Sequence, residues 1–125
     1  MSDVITITLP YPPTINQYWR RVGGRTLLSA RARAYKSAVL VCCQQARISR
    51  KRLRGNLAVH VQAYMPDRRK RDLDNILKPL LDALMYARVY EDDSQISWLS
   101  IERKPFVKKT KGSVAVRIKE CDDEE

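Results

Sequence analysis

The stretch LAVHVQAYMPDRRKRDLDNILKPLLDAL, residues 57–84 of the 125-residue chain, predicts the architecture around which the other segments are arranged. Its first part alternates apolar and polar side chains, a period of two that is typical of a strand with one buried face. The apolar positions are Leu57, Val59, Val61, Ala63 and Met65. After Pro66 and the charged segment DRRKRDLDN, apolar residues recur at helical spacing, namely Ile76, Leu77, Leu80, Leu81 and Leu84. A strand followed by a helix indicates a sheet with a helix packed on one face.

Three more strands and one more helix are predicted on either side of this stretch. Strands are expected at residues 4–9, 96–103 and 114–118, where apolar side chains again alternate. A helix is expected up to about Gln45, with Ser29 as its N-cap. The segment TINQYWRRVGGRT, residues 14–26, is interpreted as an ordered loop. The order βαβαββ predicts an α+β fold, a two-layer single domain with helices packed on a four-stranded mixed sheet.

The first helix is predicted to pack through one side and to expose a basic one. The apolar side consists of Ala30, Ala34, Ala38, Val41 and Cys42. The other side carries Arg31, Arg33 and Lys36, and a basic connection follows at residues 47–54.

Net charge is the first indication of function. The chain has 24 Lys and Arg against 14 Asp and Glu, a formal net charge of +10. Residues 1–119 are predicted to form the domain and residues 120–125 a frayed, disordered acidic tail. Five acids fall in that tail, so nine remain against 24 basic residues and the domain carries +15. Such a body attracts phosphate polymers and releases condensed counterions on binding them. A basic surface that only aids solubility, or one that faces ribosomal RNA, would have the same charge.

Composition argues against several other classes of protein. No apolar run approaches the ~20 residues of a membrane span, and the N-terminus lacks the layout of a signal peptide, so a cytoplasmic protein that does not enter the membrane is expected. Three cysteines without a CxxC pair give no zinc framework. His60 is the one histidine, which nearly excludes histidine-based nucleases and Ser–His–Asp hydrolases. No phosphate-binding P-loop motif occurs.

The acids of the domain are concentrated in one part of the sequence. Of the nine acids in residues 1–119, seven lie between Asp67 and Asp93. Carboxylates repel the phosphate that the rest of the surface attracts, unless a cation bridges the two. The contrast indicates a metal-bridged phosphodiester site.

Asp72 and Asp74 are the first candidate ligands of such a cation. In extended backbone before a helix, residues two apart point to the same side, so both carboxylates would converge on one hard cation while Leu73 faces the core. Alternatively, Asp74 or Asn75 caps the helix and Asp72 pairs with a neighbouring arginine. The spacing alone leaves both interpretations open.

Asp92 and Asp93 lie in the loop beyond the second helix. A helix of about a dozen residues spans ~18 Å. The connection must therefore fold back, or run into a strand beside Leu57–Met65, to bring these acids to Asp72. A solvated acidic loop is the alternative.

Basic side chains beside the acids are candidates for binding DNA. The run Arg68, Arg69, Lys70 and Arg71 directly precedes Asp72, and arginine forks grip phosphate bidentately. Lys78 lies one helical turn after Asp74 and could stabilise charge on the scissile phosphate. The plainer interpretation of Lys78 is a surface lysine, or an i,i+4 ion pair with Asp82.

Taken together, MPDRRKRDLDNILKPLLDAL and the EDDSQI that follows resemble the signature of the RusA family of Holliday-junction resolvases. The N-terminal segments ITLPYPPTINQYWR, GRT and SARARAYKSAV resemble the same family, in the same order and at similar spacing. The likeness covers nearly the whole chain up to the acidic tail, which makes it far more specific than a single DxD.

The resemblance implies a homodimer, of a kind frequently encoded by prophages, that binds branched DNA. It implies that the dimer nicks two opposing strands of a four-way junction symmetrically with Mg²⁺, for which Mn²⁺ would be a substitute. By position, the family's acidic triad falls on Asp72, Asp74 and Asp93, and its catalytic lysine falls on Lys78. Asp92 does not match a ligand. Pro79 departs from the pattern, because proline restricts the preceding residue and indicates a helix that begins later or kinks there.

Two other functions fit the same residues. A non-catalytic DNA- or RNA-binding module needs only the basic charge, although the three acids and Lys78 then have no role. An enzyme with the same site chemistry could instead cut flap or replication-fork DNA, because branch geometry is read by the shape of the dimer rather than by a motif.

Overall fold

Six strands and two α-helices make up the computed structural model, which describes residues 4–121. In chain order the strands are β1 (Val4–Pro10), β2 (Trp19–Val22), β3 (Arg25–Leu28), β4 (Leu57–Tyr64), β5 (Ile96–Lys104) and β6 (Ser113–Glu120). Four of them form a mixed sheet in the spatial order β1-β6-β4-β5, with β6 antiparallel to both neighbours and β4 parallel to β5. This sheet and its two helices confirm the predicted α+β order βαβαββ.

One face of the sheet is buried beneath the helices. In β4, the side chains of Leu57, Val59, Val61 and Ala63 are fully buried, and the residues between them are partly exposed. β1 and β6 alternate in the same way. Burying a side chain of the size of valine or leucine stabilises a fold by roughly 1.5–3 kcal/mol, so this alternation fixes which face meets the helices.

The segment predicted as an ordered loop contains a β-hairpin. A 3-10 turn, Ile15–Gln17, leads into β2, which pairs antiparallel with β3 across Gly23 and Gly24. Both glycines have positive φ, 54° and 77°, as a two-residue hairpin turn of type I′ requires. The loop prediction was wrong because β2 and β3 are almost wholly exposed, so no buried face imposes an apolar alternation on them.

The helix α1 (Ala30–Gln45) begins where predicted, because the Ser29 hydroxyl accepts a hydrogen bond from the Ala32 amide at 3.0 Å. Its buried side is not the predicted one. The buried residues are Ala32, Tyr35, Val39 and Cys43, whereas Ala30, Ala34, Ala38 and Val41 are exposed and Cys42 is partly buried. Tyr35 removes more apolar surface from water than an alanine stripe would. Its hydroxyl also donates to the Pro10 carbonyl at 2.7 Å, which fixes this rotation of the helix.

The helix α2 (Leu77–Tyr86) follows a 3-10 turn, Leu73–Ile76. Pro79 is thus the third residue of the α-helix, within the first turn, where an N–H has no acceptor inside the helix. The α-helix begins later than a cap at Asp74 would give, as the proline predicts. Lys78 consequently lies exposed in the first turn.

The C-terminal end of the domain extends one residue past the predicted boundary. Glu120 still pairs with Leu57, and the Cys121 amide donates to the Asn56 carbonyl at 2.8 Å. The rest of the predicted acidic tail, residues 122–125, lies outside the described residues. Neither α1 nor α2 is long and apolar enough to cross a membrane.

Gly112 and Gly55 provide a matched test of how tightly the turn before β6 is packed. Both have positive φ, 79° and 73°, but a Cβ on Gly112 would lie 2.7 Å from the Pro66 Cα, whereas a Cβ on Gly55 would meet nothing within 4 Å. Gly55→Ala should cost about 1–2 kcal/mol of unfolding free energy for the left-handed conformation alone. Gly112→Ala should cost roughly 1–3 kcal/mol more, because backbone must move. Equal losses in urea titrations would contradict this packing.

Candidate active site

Asp72 and Asp74 lie between the end of β4 and the start of α2. Asp72 has extended backbone, with φ −84° and ψ 132°, and it precedes the 3-10 turn that contains Asp74. Both side chains are exposed, while Leu73 packs against the core. The predicted orientation of these residues is confirmed, but a 3-10 turn replaces the extended backbone expected at Asp74. Asp72 occupies the N-cap position without making a side-chain capping bond.

Asp67 organises the basic run that precedes these acids. Arg71 donates to both of its carboxylate oxygens, at 3.1 Å from Nε and 2.6 Å from Nη2. The Arg69 amide donates to the same carboxylate at 3.0 Å. The side-chain bond from Arg71, more than any other contact, holds the pKa of Asp67 well below its usual range. Arg71 is therefore largely committed to a protein carboxylate.

The other three residues of the run remain accessible. Arg68, Arg69 and Lys70 are all exposed. The Arg68 guanidinium lies 5.4 Å from the centre of the Phe106 ring, a cation–π contact that leaves its N–H groups able to reach a phosphate. These side chains can bind an anionic backbone without breaking a buried ion pair.

Lys78 forms the i,i+4 ion pair with Asp82, at 3.1 Å from Nζ to Oδ2. The same oxygen accepts a hydrogen bond from the Tyr18 hydroxyl at 2.5 Å. The Asp82 side chain is only 12% exposed, and Tyr18 is buried. Burial, reinforced by Asp82, raises the pKa of Tyr18 above its usual value, so the phenol stays a donor at neutral pH. The root of the β2–β3 hairpin thus fixes the carboxylate that holds Lys78.

Asp92 and Asp93 lie at the start of a 3-10 turn, Asp93–Gln95, that leads into β5. The Asp92 carboxylate accepts a hydrogen bond from the Ser94 amide at 3.0 Å, and this contact lowers its pKa. The Gln95 side chain in turn accepts from the Asp92 amide at 2.9 Å. Asp92 is therefore occupied as a cap, the role that the family alignment leaves to it.

The carboxylates of the chain divide into two groups. Within residues 4–121, those with a protein partner are Asp67, Asp82, Glu91, Asp92, Glu102 and Glu120. Asp72, Asp74 and Asp93 have neither an ion pair nor a side-chain hydrogen bond to any described residue. In so basic a chain an unpartnered carboxylate is unexpected. The three unpartnered ones are the three residues of the predicted triad.

These three acids do not lie together in one chain. Within the described range, no three Asp, Glu, His or Cys side chains are arranged to hold one metal ion. Ile96, just after Asp93, pairs with Leu57 at the start of β4, whereas Asp72 follows the opposite end of that strand. β5 does lie beside β4, as expected. Because the pairing is parallel, however, it does not bring Asp93 to Asp72.

An open groove of about 780 Å³ begins beside the residue that precedes Asp72. Basic side chains from separate parts of the chain line it, namely Arg31, Arg69, Arg71 and Lys111. Tyr11, Pro12 and Tyr35 add ring surfaces, and no carboxylate is among its described lining residues. The groove is a positively charged path of a size that suits a phosphate backbone.

Comparison with known proteins identifies the family. Residues 10–119 match the family model described as Endodeoxyribonuclease RusA, a range that contains every candidate site residue. The chain belongs to the RusA family. The resemblance seen in the motifs is thereby confirmed.

Individual RusA relatives come from phages and enterobacteria. A crossover junction endodeoxyribonuclease of Enterobacteria phage HK97 is 39% identical over 117 residues, which cover 91% of this chain and 92% of the relative. The protein of the same name from Shigella sonnei is 37% identical over 106 residues, 85% of this chain and 88% of the relative. That of Enterobacteria phage 82 is 37% identical over 102 residues, 82% and 84% of the two chains.

Sequence reasoning missed two features of this RusA site. The bond from Tyr18 to Asp82 joins residues 64 positions apart, and no local pattern indicates it. Arg31 and Lys111 were noted only as parts of basic segments, because nothing in the sequence shows that α1 and the loop before β6 open onto one groove. Both features depend on tertiary packing.

The ion pair of Asp67 gives a pH-dependent prediction. Because the pKa of Asp67 in the folded chain lies below its ordinary value of 3.8, the stabilisation is fully present above that value and is lost as the pH falls toward the folded pKa. Asp67→Asn should therefore lower Tm at neutral pH, and the gap from wild type should narrow below about pH 4. A gap that stays constant from neutral to acid pH, measured by circular dichroism, would contradict the assignment.

Proposed function

We propose that this chain is a Mg²⁺-dependent, structure-selective endodeoxyribonuclease that resolves four-way DNA junctions by paired symmetric nicks in recombination and repair. The observation that carries the proposal is the selective lack of protein partners at Asp72, Asp74 and Asp93 among the described carboxylates. The relatives, whose names specify crossover junctions, support the substrate class.

The donor set suits a hard divalent cation. Mg²⁺ prefers carboxylate oxygens, and Mn²⁺ accepts the same ligands. Such a cation, when bound, offsets charge on a phosphodiester and lowers the pKa of a coordinated water. The chain supports this role by pairing its own cations elsewhere, since Asp67 holds Arg71 and Asp82 holds Lys78. Asp72, Asp74 and Asp93 are thus left to bind a metal rather than a neighbouring side chain.

Basic residues are proposed to position the DNA. Arg68, Arg69 and Lys70 are exposed beside the acids, and contacts of this kind fix the register of a nucleic acid without reading its sequence. The groove lined by Arg31 and Lys111 continues the same positive surface. Lys78 would place its ammonium near the phosphate under attack, where a fixed positive charge favours the transition state.

Two matched cuts favour a dimer. A homodimer with a two-fold axis presents two identical sites in opposite orientations, as required to nick opposing strands of a four-way junction. One copy of the chain would supply one set of basic contacts per site.

A single gel experiment tests the proposal. Purified protein is incubated with labelled four-way, flap and linear DNA of matched sequence, with either Mg²⁺ or EDTA. The proposal predicts cleavage of the four-way junction with Mg²⁺ alone, at symmetric positions and with ends that ligase can seal. Preferred cutting of the flap would assign a different substrate to the same site chemistry, and cleavage in EDTA would remove the metal from the reaction.

Asp74→Asn should abolish cleavage while junction binding persists or tightens. The amide removes a metal ligand, and it also removes negative charge that repels phosphate. We expect the single-turnover rate to fall by roughly 10²-fold or more, the effect of losing a few kcal/mol of charge stabilisation. Near wild-type cleavage by the folded variant would end the assignment of Asp74 as a ligand.

The adjacent pair Asp92 and Asp93 tests the register of the family alignment. Asp93→Asn should be about as damaging as Asp74→Asn, because it removes a proposed ligand. Asp92→Asn should retain most activity, because its carboxylate serves the Ser94 amide and an asparagine can make the same cap. If Asp92→Asn is inactive and Asp93→Asn active, the register in this loop is wrong by one residue.

A further inference from the structure

Asp93 is held at one end of the main sheet. The Gln95 side chain donates to the Leu53 and Gly55 carbonyls, both at 3.0 Å, which fixes the turn that begins with Asp93 beside the start of β4. The pairing of Ile96 with Leu57 confirms that location. The position of Asp93 therefore follows from hydrogen bonds on both sides of its turn.

Asp72 is held at the opposite end. The Arg103 guanidinium donates to the Arg71 carbonyl at 2.7 Å, immediately before Asp72. Arg103 pairs with Ala63, near the far end of β4. The eight residues of β4 span roughly 25 Å at ~3.3 Å per residue. Side chains cannot bridge that distance to share one cation, so the site is incomplete within a single chain.

The free edge of the sheet shows how a second copy could complete it. β5 is an edge strand with β4 on one side only. It exposes Trp98 (56%) and Leu99 (40%) on its two faces. An exposed edge with large apolar side chains is a template for pairing with another strand.

Pairing of β5 with its own copy has one consequence for the acids. In a sheet that continues across a two-fold axis the strand and its copy are antiparallel, about 4.8 Å apart. The beginning of the copy's β5 then lies beside Lys104 at the end of this one. Asp93 of the partner subunit arrives at the end where Arg103 holds Asp72, and its negative charge meets the exposed Arg103.

We propose that each active site is shared between two copies of the chain, with Asp72 and Asp74 from one protomer and Asp93 of the partner subunit. This inference rests on the proposed metal-binding role of the three acids. It makes dimerisation a requirement for metal binding, in addition to a means of placing two cuts.

Complementation between inactive variants tests the shared site. Asp74→Asn and Asp93→Asn chains are co-expressed with different affinity tags, and the mixed dimer is purified through both tags. In a shared arrangement one of its two sites has lost both ligands, and the other retains all three. Supercoiled plasmid with an extruded cruciform should then be converted by the mixed dimer to nicked circles, whereas wild type produces linear plasmid.

The control is a mixed dimer of Asp72→Asn and Asp74→Asn chains, which leaves both shared sites damaged and should not nick. An inactive Asp74→Asn/Asp93→Asn mixed dimer, with both parent homodimers inactive, would overturn the shared site while leaving the ligand assignment intact. Activity of either parent homodimer would instead overturn the ligand assignment of the proposed function. The outcomes are distinguishable on one gel.

Discussion

The parallel pairing of β4 with β5 is the constraint on which the rest of the structure depends. Two parallel strands cannot be joined by a tight turn, because the chain leaves one strand at its far end and must return the length of the sheet before it enters the next. Residues 65–95 make that return, and α2 is its main element. Most of the carboxylates of the domain lie in this connection, so one crossover both closes the core and carries the site chemistry.

The distribution of partners among those carboxylates separates structural from functional acids. Asp67, Asp82 and Asp92 satisfy an arginine, a lysine with a buried phenol, and a backbone amide. Each fixes a segment beside the site: the basic run, α2 with the root of the hairpin, and the turn before β5. Asp72 and Asp74 are not needed for any of these contacts, and their exposure on a rigid turn leaves them accessible to a cation and a phosphate.

The sequence predicted the sheet well because each of its strands carries a period-two apolar pattern that burial requires. It predicted the motif residues through spacing and family resemblance. It failed at the β2–β3 hairpin, whose residues have no buried face, and at α1, where a stripe of alanines competes with the larger Tyr35 and Val39. It could not show that β5 runs parallel to β4 and so places Asp93 far from Asp72, because strand direction is set by tertiary packing.

The most direct test of the metal site is anomalous diffraction from crystals of the full chain grown with Mn²⁺ and a four-way junction. We predict a Mn²⁺ peak bounded by the carboxylates of Asp72 and Asp74, with Asp93 of the partner subunit as the third ligand. A peak held by Asp67 or Asp92 instead, with Asp72 and Asp74 still facing solvent, would contradict the assignment of the unpartnered carboxylates as the metal ligands.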